Sequence, residues 1–356
     1  MRRRTILSCI VLAGTLAAVP AGGISPAEAQ TAPRNVQVAG NFFGDARDEE
    51  FWYFAGRDGD ALFSLSNGGT PGGFLSIAAV PYTVNGTSYV PFTGDFDGDG
   101  FDELFWYNPG SGADFIWHFS DSRHFRQEAV NVSGVYQPLP GDFNGDNIDD
   151  IMWYGRGSAP DAMWLNRRGA TNPVSVAANV SGNYRPVVAS IGKDATDDLV
   201  WYAPGTGADV VWDWTRLART RTEFRITVNG SYLPVALDSF GDGPRGDDLW
   251  WYAPGAAADP FWDYENGTLV DTTPLPLVSS FAMTVGDFFN DGMEDVDMIN
   301  LAGGREVLRD FTFNGSEFVF FDYEIDLSLG AAAASSVGEQ AKSGIAAGAS
   351  QPFGNR

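Results

Sequence analysis

Gly94-Asp95-Phe96-Asp97-Gly98-Asp99-Gly100-Phe101-Asp102-Glu103-Leu104-Phe105-Trp106-Tyr107 sets acidic residues at alternate positions, separates them with glycines and runs into an apolar, aromatic strand. The stretch recurs as Gly141-Asp142-Phe143-Asn144-Gly145-Asp146-Asn147-Ile148-Asp149-Asp150, followed by Ile151-Met152-Trp153-Tyr154. It recurs again as Gly286-Asp287-Phe288-Phe289-Asn290-Asp291-Gly292-Met293-Glu294-Asp295. Weaker copies begin near Gly40, Ala189 and Leu237. A loop repeated in this way marks a repeat architecture, and no residue in it is understood apart from its counterparts.

Working outward, the aromatic strand after each loop reads Phe51-Trp52-Tyr53, Phe105-Trp106-Tyr107, Met152-Trp153-Tyr154, Val200-Trp201-Tyr202 and Trp250-Trp251-Tyr252. The sixth unit has Val296-Asp297-Met298-Ile299 there, in the same register without aromatics. A Pro-Gly turn follows several of these strands, such as Asn108-Pro109-Gly110 and Ala203-Pro204-Gly205, and enforces a reversal. A short strand opened by Asp comes next: Asp114, Asp161, Asp209 and Asp259 each lie three residues before a Trp. Then come Val-Asn-Gly or Val-Ser-Gly segments ending in Tyr (Val84 to Tyr89, Val132 to Tyr136, Val180 to Tyr184, Val228 to Tyr232), read as tight hairpins. Each unit thus holds about four short strands, which is the content of one β-propeller blade. The expected fold is an all-β propeller of six four-stranded blades over 36–327. Seven blades would need a unit that no interval between the Trp residues is long enough to hide, and a solenoid would need capping repeats.

The ends differ from this pattern. Met1 to Ala29 reads as a secretory signal peptide, with Arg2, Arg3 and Arg4 before an apolar run from Ile6 to Val19 and small residues at Ala27 and Ala29. Residues 30–35 are a short leader, and 328–356 are an Ala/Gly/Ser-rich tail without strand alternation. The only cysteine, Cys9, lies in the signal segment, so the mature chain is expected to form no disulfide. With 46 Asp and Glu against 22 Lys and Arg, the chain repels phosphate backbones and anionic lipid headgroups. Nucleic acid and membrane insertion after signal cleavage are therefore not expected, and a secreted monomer that binds an extracellular glycan or protein is.

A tightly turned loop with oxygen ligands at alternate positions can surround Ca²⁺, which takes six to eight of them. The first site is expected from Asp95, Asp97 and Asp99, the carbonyl of Phe101, and Glu103. The second takes Asp142, Asn144, Asp146, the carbonyl of Ile148, and Asp150. The sixth unit offers Asp287, Asp291 and Asp295, with Phe289 in the third position. In the first unit Asn41, Asp45 and Glu49 align but Phe43 intrudes, and the fourth and fifth units keep few ligands. Those loops read as ordinary Asp-Gly turns bonded to their own backbone.

The run from Asp95 to Leu104, and that from Asp142 to Ile151, resembles the Asp-x-Asp/Asn-x-Asp-Gly-x-x-Asp pattern of FG-GAP and VCBS repeats. These are the blades of the integrin α-subunit propeller and of many secreted bacterial proteins. The resemblance spans about six units and implies a propeller with Ca²⁺ in loops on one face. It implies no enzymatic activity, since the fold hosts many functions.

Other features have two readings. The repeated Trp and Tyr could stack sugars, but a feature of nearly every blade is read as packing between blades. Asp114, Asp161, Asp209 and Asp259 are read as bonding turn backbone. His118 and His124 are read as surface residues. The function expected is a non-catalytic, Ca²⁺-binding extracellular module for carbohydrate or protein. The alternative is a polysaccharide-degrading enzyme with its site in the propeller funnel.

Overall fold

A computed structural model describes residues 36–325 and 351–352, apart from 57–58, 67–75, 111, 169–171, 193, 195, 206–207, 215–220, 242–245, 256–257, 302–305 and 314–317. The expected signal peptide, the leader and most of the tail lie outside the described residues. Among those residues there is no helix, and so none long and apolar enough to cross a membrane.

Each blade is a four-stranded antiparallel meander built from consecutive strands. Blade 1 holds β1 (Val36–Gly40), β2 (Glu49–Tyr53), β3 (Ala61–Ser66) and β4 (Ser76–Pro81). Blade 2 holds β5 (Val90–Gly94), β6 (Glu103–Tyr107), β7 (Asp114–Asp121) and β8 (His124–Val130). Blade 3 holds β9 (Gln137–Gly141), β10 (Asp150–Tyr154), β11 (Asp161–Leu165) and β12 (Val174–Ala178). Blade 4 holds β13 (Arg185–Ala189), β14 (Asp198–Tyr202), β15 (Asp209–Trp214) and β16 (Arg221–Ile226). Blade 5 holds β17 (Leu233–Leu237), β18 (Asp248–Tyr252), β19 (Pro260–Glu265) and β20 (Thr268–Pro274). Blade 6 holds β21 (Phe281–Gly286), β22 (Asp295–Asn300), β23 (Glu306–Phe313) and β24 (Phe318–Ile325). A two-residue β25 (Gln351–Pro352) pairs with β24 inside the stretch read as a strandless tail.

The first strands meet around the centre: β1 lies beside β5, β5 beside β9, β9 beside β13, β13 beside β17, β17 beside β21, and β21 beside β1. The ring is closed, and the propeller has six blades. An inner strand pairs on one side only, so Pro91, Pro138, Pro186 and Pro234 sit in β5, β9, β13 and β17, each opposite the Trp of the second strand. Second strands are buried along their whole length in blades 2 to 5, which is why they read as continuous apolar runs. Fourth strands, at the rim, are mostly exposed in blades 2 to 5.

The core lies between blades. The Tyr ending the second strand of blades 1 to 4 meets the second-strand Trp of the next blade edge-on: Tyr53 on Trp106, Tyr107 on Trp153, Tyr154 on Trp201 and Tyr202 on Trp251, at 5.1–5.2 Å. Those Trp and Tyr side chains are fully buried. The packing reading of the aromatic repeat therefore holds.

The hairpin reading of the Val-Asn/Ser-Gly segments does not. Val84 to Tyr89 and its counterparts cross from one blade to the next and are not turns between paired strands. Their valines are buried, and their glycines bridge the Pro-Gly turn, Gly110 with Gly134 and Gly205 with Gly230. Among the described residues an Asn-Gly pair closes a hairpin at Asn266-Gly267, both left-handed, between β19 and β20.

Candidate functional site

The acidic loops join the first strand of each blade to its second, so all six lie at one end of the ring. The loops of blades 1, 2, 3 and 6 share one backbone wrap. The fourth loop position is left-handed at Gly44, Gly98, Gly145 and Asn290, and the sixth at Ala46, Gly100, Asn147 and Gly292. That geometry turns alternate side chains inward. The degenerate first loop keeps it in spite of Phe43.

In the loop of blade 2, one carboxylate oxygen from each of Asp95, Asp97 and Asp99 lies within 4.8 Å of the other two. Asp95 Oδ2 accepts the N–H of Gly100, whereas Asp95 Oδ1 is buried and accepts no hydrogen bond. A buried acceptor facing two further carboxylates fits a hard cation with oxygen ligands. Burial, reinforced by Asp102, Asp99 and Asp97, pushes Asp95 up to about 7 in the metal-free protein.

Glu103 is gathered with Asp97 and His118. His118 is on β7, and its ring has 13% of its surface exposed, so the surface reading of this histidine is corrected. Its Nδ1 lies 3.4 Å from both Asp97 Oδ2 and Glu103 Oε1, and its Nε2 lies 3.4 Å from Glu128. The sequence carried no sign of this, because β7 reaches the loop only through the sheet. His124 is at the surface, as expected, beside Asp121. Burial opposes charge on His118, but Asp97 and Glu103 outweigh it and raise its pKa to about 9. Contact with His118 holds Asp97 below the usual carboxylate range, against burial. Burial pushes Glu103 up to about 8.

In the blade-2 loop Asp97 also accepts the N–H of Asp99, and Asp99 that of Phe101. The loops of blades 3 and 6 repeat part of this bonding and add to it. Asp142 Oδ1 accepts the N–H groups of Gly145 and Asp146, and Oδ2 that of Asn147. Asn144 donates its side-chain N–H to Asp150, and Asp146 accepts from Ile148 N–H. Asp287 accepts from Asp291 and Gly292, Asp291 from Met293, and Asp295 from Phe288 and Phe311. The seventh residues, Phe101 and Ile148, also reach sideways: a Cβ on Gly44 would strike the Phe101 ring, and one on Gly98 would meet Ile148 Cγ1 at 2.8 Å.

Sequence reasoning missed the acid that precedes the ninth position. Asp48, Asp102, Asp149, Asp197, Asp247 and Glu294 each reach back to the preceding blade. Each accepts the N–H of that blade's first loop residue at 2.6–2.9 Å. Each also donates its own N–H to the carbonyl of the same residue at 2.8–3.3 Å. This two-way latch repeats six times and closes between Asp48 and Asp287. The signal was present: all six units carry two adjacent acids here.

The Asp residues that open the third strands bond backbone, as expected. Asp60, Asp114, Asp161, Asp209 and Asp259 each take one N–H from the turn behind and one from the connection to the next blade, at 2.6–2.9 Å.

The family profile described as FG-GAP repeat matches residues 87–119. The match holds the blade-2 loop, all of β6 and most of β7. No curated protein matches the chain. The profile match and the propeller fold together support the FG-GAP family for this repeat.

Proposed function

We propose that the chain is a secreted β-propeller, stabilised by Ca²⁺, that binds an extracellular glycan or protein without catalysis. The observation that carries the metal reading is Asp95 Oδ1, buried and unbonded in the blade-2 loop beside the carboxylates of Asp97 and Asp99. The likeness of Asp95 to Leu104 to FG-GAP and VCBS repeats of secreted proteins supports it, as does the signal-like segment 1–29. The binding reading rests on how the repeated groups are used. The aromatic ring packs blade to blade and the Asp ring holds turns, so both serve as scaffold.

A metal that binds only the folded state raises its stability by mass action. Chelation of Ca²⁺ is expected to lower the melting temperature, and Asp97→Ala to lower it in Ca²⁺ buffer and blunt the response to chelation. A melting curve indifferent to chelation overturns the metal reading. A glycan array run with and without Ca²⁺ tests the ligand. Turnover of a polysaccharide by the purified protein would overturn the non-catalytic reading and favour an enzyme in the funnel.

A further inference from the structure

At three strand positions the departures from the repeat fall where the last blade meets the first. The residue after the ninth loop position is Leu104, Ile151, Leu199, Leu249 and Val296 in blades 2 to 6, but Glu50 in blade 1. The next position is Phe51, Phe105, Met152, Val200 and Trp250 in blades 1 to 5, but Asp297 in blade 6. The Asp that opens the third strand in blades 1 to 5 is Glu306 in blade 6.

These three departures converge. One carboxylate oxygen from each of Glu50, Asp297 and Glu306 lies within 4.8 Å of the other two. Glu50 projects from β2, and Asp297 and Glu306 from β22 and β23, so the cluster spans the seam between blades 1 and 6. All three residues are buried, at 1%, 0% and 4% exposure. Asp297 Oδ2 accepts the Gln37 amide N–H at 2.9 Å, and the Asp297 carboxyl lies close enough to those of Glu50 and Glu306 to share protons with them, whereas Glu50 Oε1 and Asp297 Oδ1 are buried with no donor in hydrogen-bond geometry. Among the described residues no cation pairs with any of the three. Arg309, also on β23, turns to Asp322 and lies over Trp250 of blade 5.

Buried carboxylates without a counter-charge are costly, and the fold does not require two of the three, since the positions of Glu50 and Asp297 are apolar in the other blades. A cation offsets the cost, and a donor set of oxygens alone suits a hard one. We propose that Glu50, Asp297 and Glu306 bind a hard divalent cation of the Ca²⁺, Mg²⁺ or Mn²⁺ class that joins the first blade to the last. This site is separate from the blade-2 loop, and it stands or falls without it.

The probe is Mn²⁺, counted by elemental analysis on the full chain after chelating resin and re-equilibration. The starting protein carries Asp97→Asn and Asp99→Asn, which disable the blade-2 loop. Adding Glu50→Leu and Asp297→Met, residues found at these positions in blades 2 and 3, is expected to remove one Mn²⁺ per chain, whatever the other loops hold. An unchanged count overturns the proposal. If the apolar variant does not fold, Glu50→Gln keeps the shape and removes one charge. Mn²⁺ titration is then expected to show affinity weakened on the order of tenfold or more, and unchanged affinity overturns the site.

Discussion

Asp114 accepts the N–H of Asn108 on one oxygen and that of Val132 on the other, each at 2.7 Å, and so ties a turn to the chain leaving its blade. Burial raises its pKa, but the hydrogen bonds favour the charged form. Truncation to alanine leaves two backbone donors unpaired, one of them buried. The cost of an unsatisfied buried donor is about 1–3 kcal/mol. Asp114→Ala is therefore expected to lower unfolding free energy by about 2–4 kcal/mol, read by urea denaturation with metal content held constant. Asp114→Asn, which keeps one acceptor, should lose less. Equal losses in the two variants would show that the second hydrogen bond contributes nothing.

The loop is the element that sequence reading reached furthest and also misjudged. Alternate acids and glycines made its wrap legible, and left-handed Gly98 and Gly100 bear that out. The wrap does not depend on the ligands, however, because the loop at Asn41 has it too. Which carboxylates face one another depends on the sheet, and so the loops from Asp95 and Asp142 look alike as strings yet differ in their bonding. For the same reason His118, fifteen residues beyond Glu103, was invisible as its neighbour. The paired acids were legible as a pattern, but their role was not, since the latch partner lies in another blade. Gly98 marks where these constraints meet: its φ is +76°, and an added Cβ would sit 2.8 Å from Ile148 Cγ1 of the next blade. Gly98→Ala is expected to cost about 1–2 kcal/mol for the left-handed backbone alone, more with the contact, and to weaken Ca²⁺ binding measured by calorimetry. Unchanged stability would show that the loop relaxes freely. Gly110→Ala, also at positive φ but with nothing within 4 Å, isolates the backbone component.

At the scale of the whole molecule, the latch ring and the acidic loops put many carboxylates at one end of a closed propeller, and pH must act on them together. In the metal-free protein burial pushes Glu49 up to about 9, Glu103 to about 8 and Asp150 to about 9. In the unfolded chain such groups titrate near 4. Between those limits the folded state holds more protons than the unfolded one, so unfolding free energy falls as pH rises. The stabilisation is complete below the unfolded pKa and is lost as pH passes through the folded values. In chelator, the melting temperature is expected to fall steadily from pH 5 to pH 9, the reverse of a protein whose carboxylates are paired with cations. Under the proposed metal reading Ca²⁺ should flatten that slope, because a metal bound at the loop would replace protons as the countercharge. A melting temperature that climbs with pH in chelator would mean that these carboxylates are compensated by other cations. The pairing of acid with metal would then not be what holds this end of the ring together.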